Sequence, residues 1–215
     1  LDNGAGMFIT WRGRRSSEHH VVGVSFWARR STSAFTASMI APALPGRKPN
    51  RPIPVSTFRW TGNGLSRVAV LDFDVHHGNG TEQIVKDDAH ILFCSSFEYP
   101  FYPHPDLTET TNILKLPLAA GSDGVVFRHG VTTKWLDKIA AFAPELVMVS
   151  AGFDAHYEDD MANLKWQEAD YAWIADELKK IANRSAQGRI VACLEGGYAH
   201  SALGRSVVAM LKAWL

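Results

Sequence analysis

The stretch Val68-Ala69-Val70-Leu71-Asp72-Phe73-Asp74-Val75-His76-His77-Gly78-Asn79-Gly80 passes from an apolar run into closely spaced acids and histidines. A Val/Ala/Leu run without alternation is what a strand covered on both faces requires. Similar runs follow at His90–Ser95, Asn112–Leu118, Glu145–Ala151 and Arg189–Leu194. Helical periodicity lies between them. Asp123–Phe142 sets Val126, Phe127, Val131, Trp135, Leu136 and Ile139 on one broad stripe, and Pro144 stops it. Trp166–Asn183 repeats the pattern with Ala169, Trp173, Ile174, Leu178 and Ile181, and Ser201–Trp214 closes the chain. Strand–helix alternation predicts an α/β fold with a mainly parallel sheet flanked by helices.

Length and composition restrict the function. The chain has 215 residues, 46% of them hydrophobic and 20% charged, which suits one domain with an irregular extension. Its net charge of zero gives no electrostatic case for nucleic acid. No run reaches the roughly 18 apolar residues of a membrane span. Cys94 and Cys193, each in an apolar run, offer neither a disulfide framework nor a CxxC metal motif; two reduced thiols suit a cytoplasmic protein. Charge is unevenly spread: residues 1–65 hold nine Lys+Arg against two Asp+Glu, leaving thirteen against twenty for the remainder. The expected division is therefore an irregular basic segment over 1–65 and a catalytic core over 66–215. The Arg/Pro/Ser/Trp-rich character before about Leu65 is what out-of-frame translation of a GC-rich gene tends to give, and recovering the coding DNA tests that origin.

Chemistry gathers at strand ends, where open α/β sheets bind ligands. Asp72, Asp74 and His76 alternate, so they share a face if strand geometry persists. Two carboxylates side by side at the end of an apolar strand repel one another and lose water; a divalent cation removes that cost. A second polar end, Gly152-Phe153-Asp154-Ala155-His156, offers Asp154, although a lone Asp after a buried strand is more often a helix cap than a ligand. The third, Glu195-Gly196-Gly197-Tyr198, pairs glycines that allow close backbone approach with a tyrosine that points inward or packs in the core.

In this order, RVAVLDFDVHHGNGTEQI, ILFCSSFEYPFYPHPD, ELVMVSAGFDAH and VACLEGGY resemble the histone deacetylase family, which includes acetoin-utilisation proteins and acetylpolyamine amidohydrolases. The resemblance runs from about Leu65 to the C-terminus. It implies an arginase/deacetylase-like three-layer fold, incomplete at the N-terminus. It also implies hydrolysis of acetyl-lysine or acetylated polyamines, with Zn2+ (or Fe2+) held by Asp74, His76 and Asp154. Three protein ligands leave a position open for water and substrate. Tyr198 matches the family's donor to the carbonyl oxygen. Asp72 matches a carboxylate that orients a catalytic histidine. Backbone carbonyls of Asp72, Asp74 and His76, with the Ser95 hydroxyl, correspond to a structural K+ site. Phe101, Tyr102, Gly196 and Gly197 correspond to the substrate channel, and the expected partner is an acetylated amine, not nucleic acid or membrane. Oligomeric state is left open. His77, facing away from His76, and His156 are expected outside the metal site.

The resemblance breaks upstream. Family members carry RPPGHH-like and GFCxFNN-like segments before the aspartate strand, the first supplying a general-base and general-acid histidine pair. The earlier pair here, His19-His20, lacks the flanking Pro-Gly, and Pro45-Gly46 is followed by Arg47-Lys48. Weak or absent activity is therefore expected, since acid–base help contributes about 10²–10⁴-fold. Two other readings are an arginase-like binuclear manganese hydrolase and a catalytically dead acetyl-amine-binding protein. The first would need more carboxylates than DFDVHH and one later aspartate provide.

Overall fold

A computed structural model describes residues 5–11, 23–28 and 65–215. All five strands expected from the sequence are present: β3 (Val68–Asp72), β4 (Ile91–Glu98), β5 (Ile113–Leu118), β6 (Leu146–Ala151) and β7 (Ile190–Leu194). They form a parallel sheet in the order β7-β6-β3-β4-β5. Two strands not expected from the sequence, β1 (Ala5–Trp11) and β2 (Gly23–Ala28), extend it beyond β7 through antiparallel pairing. Gly6, Thr10 and Ser25 interrupt their apolar pattern, so neither shows a sustained strand period.

The order of the parallel strands places the site. From β3 the chain moves outward to β4 and β5, then crosses back to add β6 and β7 on the other side of β3. The loops leaving β3 and β6 therefore diverge, and the crevice between them is the topological switch point where such sheets take ligands. Register aligns Asp72 with both Ser95 and Ser150, so three strand ends finish level.

Both sheet faces are covered, as the uninterrupted runs require. Val68 and Val70 of β3 pack with Phe93, Ile113 and Met148 beneath α1 (Asn79–Val85), which contributes Val85. Ala69 and Leu71 face the larger core, shared with α2 (Gly124–Val131), a π-helical turn (Thr132–Leu136), α3 (Asp137–Phe142), α4 (Glu168–Ser185) and α5 (His200–Trp214). Trp135, Trp166, Tyr171 and Phe127 are its largest fully buried side chains.

Local signals set the helix ends. Asp123 accepts hydrogen bonds from Val125 N (3.0 Å) and Val126 N (3.2 Å), capping α2. Ala143 adopts a left-handed conformation (φ 50°) after α3, and Pro144 follows it. Asp170 closes a capping box by accepting from Gln167 N at 2.8 Å, and it also pairs with Arg128. At the β5 edge, Lys115 N donates to Glu109 (2.7 Å) and Lys115 O accepts from Lys134 Nζ (3.1 Å). Those side chains occupy backbone groups that another strand would otherwise pair with. No helix among the described residues is long and apolar enough to cross a membrane.

Gly204 offers a test of this frame. It lies on the exposed side of α5, and a Cβ built there meets nothing within 4 Å. Gly204→Ala is expected to raise unfolding free energy by about 0.5–1 kcal/mol, because glycine loses more backbone freedom in a helix. Denaturant titration checks it; destabilisation would contradict the placement of α5.

Candidate metal centre

Asp74, His76 and Asp154 converge, each with a ligand atom within 4.8 Å of the others'. The convergence begins in the turn after β3. Phe73 and Val75 bury themselves in the core, which leaves Asp72, Asp74 and His76 on the other side of the chain. Backbone N–H groups then fix each carboxylate. Asp72 Oδ1 accepts from Asp74 N at 3.1 Å, and Asp74 Oδ1 accepts from His76 N at 2.9 Å. Asp74 Oδ2 accepts from Gly196 N at 2.9 Å, while Asp154 Oδ1 accepts from Val75 N at 3.0 Å. The ends of β3, β6 and β7 are thus joined through carboxylates, and Asp72 sits below the group rather than in it.

One atom is left over. Asp154 Oδ2 is buried without a hydrogen-bond partner, facing His76 Nδ1 at 3.4 Å. His76 Nδ1 also lies 3.0 Å from Asp74 Oδ1. Asp154 and Asp74 hold the imidazole protonated, lifting its pKa to about 10 despite partial burial. Burial, with the charge of Asp74, pushes Asp154 up to about 6. Burial, with the charges of Glu195 and Asp74, pushes Asp72 well above the usual carboxylate range. Without another cation, protons do the work of balancing this crowd of acids.

Backbone without side chains makes room for the group. A Cβ on Gly196 would lie 2.1 Å from Asp154 Oδ2 and 2.6 Å from Asp74 Oδ2, and one on Gly152 would lie 2.2 Å from Asp74 Oδ2. Gly197 has φ +132°, a conformation few side chains tolerate, and it turns the chain into Tyr198. Tyr198 is half-exposed, not packed in the core. An orphaned carboxylate oxygen, a cradle that a methyl group would fill and an oxygen–nitrogen–oxygen donor set all fit a divalent ion with an open position.

Aromatic rings wall one side. Phe101 stacks on His76 (centroids 5.5 Å apart, 28° between planes), and Tyr102 meets it edge-on at 6.1 Å. The two histidines expected outside the metal group lie outside it. His77 Nδ1 is 3.0 Å from Ser95 Oγ, and its Nε2 meets Glu82. His156 is fully buried and receives Glu158 N at Nδ1 (3.1 Å). His19-His20, the candidate dyad, lies outside the described residues.

The sequence reading missed several residues here. Glu82 links His77 to Lys115, whose buried ammonium is 2.9 Å from Glu82 and also donates to Asp106 O. A lone lysine in the apolar run Ile113–Leu118 was the available signal, since a buried ammonium needs a partner. Asp159 gave no such signal. It sits in the run Glu158-Asp159-Asp160, which reads as a solvated turn, yet it is buried and binds the backbone of the tyrosine loop.

Comparisons with known proteins show which family the chain resembles. A sequence model of the histone deacetylase domain matches residues 53–214. An uncharacterised Synechocystis protein is 39% identical over 162 residues, covering 74% of this chain and 52% of its own length. Type-2 histone deacetylase 2 of Dictyostelium discoideum is 39% identical over 168 residues, 70% of this chain and 10% of that protein. The solved HDA15 HD domain superposes with a TM-score of 0.66 at 26% identity, covering 72% of this chain and 46% of that one. The chain therefore spans about half, or less, of the length of these relatives.

Proposed function

The chain belongs to the histone deacetylase family, and we propose that it is the metal-binding part of a zinc-dependent amidohydrolase that removes acetyl groups from acetyl-lysine or acetylated small amines. The observation that carries this reading is the convergence of Asp74, His76 and Asp154, with a buried carboxylate oxygen that accepts no hydrogen bond, at the switch point.

Asp74, His76 and Asp154 would hold the ion. When bound, zinc supplies Lewis acidity toward the amide carbonyl and acidifies water. The residues of the chain do the rest. Phe101 and Tyr102 flank His76 and would line the path of the acyl chain. Tyr198 donates a hydrogen bond to the carbonyl oxygen as negative charge grows on it. Water adds to the carbonyl carbon, the C–N bond breaks, and acetate and a free amine leave. Asp72, with Ser95 beside it in register, belongs to the K+ site that the family resemblance implies. Among the described residues no histidine pair beside the group is free for proton transfer: His76 is one of its three donors, and His77 is engaged with Ser95 and Glu82. Proton transfer is consequently the weak step, and slow turnover is expected.

Metal uptake should be linked to protons. His76 is raised to about 10 and Asp154 to about 6, so in the metal-free protein both release a proton only as pH rises through those values. A ligand imidazole must be neutral, so zinc binding at neutral pH is expected to displace about one proton and to weaken further below pH 6. Calorimetric titration in buffers of different ionisation enthalpy measures this; pH-independent affinity contradicts it.

The function is tested by hydrolysis of a fluorogenic acetyl-lysine peptide with added zinc. Slow turnover that depends on zinc and is lost in Asp154→Ala supports the reading. Turnover that persists in that variant overturns it, and fast turnover overturns the missing acid–base pair. One metal per chain favours this enzyme over an arginase-like binuclear one; among the described residues, only this cluster gathers three such donors.

A further inference from the structure

Asp159 connects two loops that the proposed reaction needs in register. It lies five residues beyond Asp154 and is buried at 3% exposure. Its Oδ2 accepts hydrogen bonds from Tyr198 N (2.6 Å) and Ala199 N (3.0 Å), and its Oδ1 accepts from Met161 N (3.1 Å). The two loops are also joined below, where Glu195 N donates to Ala151 O (3.0 Å) and Phe153 N to Gly196 O (2.9 Å), and Gly196 N ties the second of them to Asp74 Oδ2 (2.9 Å). Gly197, at φ +132°, lies between these lower anchors and Tyr198.

Gly197, between the lower anchors and Tyr198, has no side chain of its own to fix the turn. The lower anchors end at Gly196, so they do not fix the residue that carries the phenol. The next contact is Asp159, and it is a strong one: two neighbouring N–H groups share one buried carboxylate oxygen. We propose that Asp159 is a positioning residue that holds the backbone of Tyr198, and so directs its phenol toward the Asp74–His76–Asp154 group. This rests on the reading of Tyr198 as the donor to the substrate carbonyl. Misplacing a catalytic group by about 1 Å can cost about 100-fold in rate. Asp159 touches none of the three ligand side chains in these contacts, so its loss separates positioning of the tyrosine from metal retention.

The experiment compares the zinc-loaded 215-residue chain as wild type, Tyr198→Phe, Asp159→Ala, the double variant and Asp159→Asn. Rates on the acetyl-lysine peptide are read with backbone amide exchange. Asp159→Ala is expected to lower kcat by about 10–100-fold with KM and zinc content unchanged. That loss should vanish in the Tyr198→Phe background, because the residue it acts through is already disabled. Asp159→Asn keeps one acceptor oxygen and should fall between. An equal loss in both backgrounds, or none in either, overturns the proposal.

If Tyr198→Phe is as fast as wild type, the reading of Tyr198 fails. Exchange then decides the contact alone: the Tyr198 and Ala199 amides should exchange at least about tenfold faster in Asp159→Ala, with Val149 in β6 unchanged. Unchanged exchange at Tyr198 overturns the positioning role whatever the rates. Should Val149 also lose protection, Asp159→Ala has loosened the fold, and Asp159→Asn carries the same comparison.

Discussion

Asp154→Ala is expected to weaken zinc binding by more than about 100-fold, since removing even an outer partner of a metal ligand typically costs 10–100-fold. Peptide hydrolysis should fall to background with it. Asp154 Oδ2 is buried, accepts no hydrogen bond and is one of the three donors of the group, so its loss leaves two. Stability should respond differently with and without metal. In the metal-free chain, losing Asp154 Oδ1 leaves the Val75 N–H unsatisfied, at about 1–3 kcal/mol. Losing its charge relieves crowding against Asp74 but also removes a partner of the protonated His76 imidazole. The metal-free melting temperature should therefore fall, and the rise that zinc gives the wild type should disappear. Asp154→Asn keeps the oxygen on Val75 N and should show the same loss of zinc with a smaller structural effect. Elemental analysis after dialysis and thermal melts with and without zinc check these outcomes; zinc retained in either variant contradicts the assigned ligand.

Gly196→Ala is expected to be as damaging, by a different route. The added methyl would sit 2.1 Å from Asp154 Oδ2 and 2.6 Å from Asp74 Oδ2. Gly196 cannot simply move aside, because its N–H holds Asp74 and its carbonyl accepts from Phe153 N. Both carboxylates must be displaced. Overpacking of this kind costs about 1–3 kcal/mol, and moving two of three ligands should lower zinc affinity by at least about 100-fold. The contrast with Gly204→Ala, where open space awaits the methyl, makes the pair informative: one glycine-to-alanine change should destabilise and the other stabilise. Denaturant titration with zinc titration reads both. Wild-type zinc affinity in Gly196→Ala would contradict the packing around the group.

The sequence carried the parallel sheet well because strands buried on both faces must be largely apolar, and Val68–Leu71 and its four counterparts are, with Lys115 and the serines and acid toward the strand ends as exceptions. It carried β1 and β2 poorly, since Gly6, Thr10 and Ser25 break any sustained pattern. Asp74 and His76 were legible because clustered acids and histidines at a strand end need a cause. Asp154 was ambiguous by itself. Its role depends on β6 lying beside β3, and that neighbourhood arises from a crossover between β5 and β6 that no local window contains. Asp159 was illegible for the same reason: its partners, Tyr198 and Ala199, lie about forty residues away. Polar residues that act through distant backbone leave no periodic trace.

The central claim is that Asp74, His76 and Asp154 form one divalent-metal site. X-ray absorption at the zinc edge, on the 215-residue chain titrated to saturation, tests it most directly. The predicted result is one zinc per chain with only nitrogen and oxygen neighbours at about 2.0–2.2 Å. A stoichiometry of zero or two, or a sulfur shell near about 2.3 Å from Cys94 or Cys193, would contradict it.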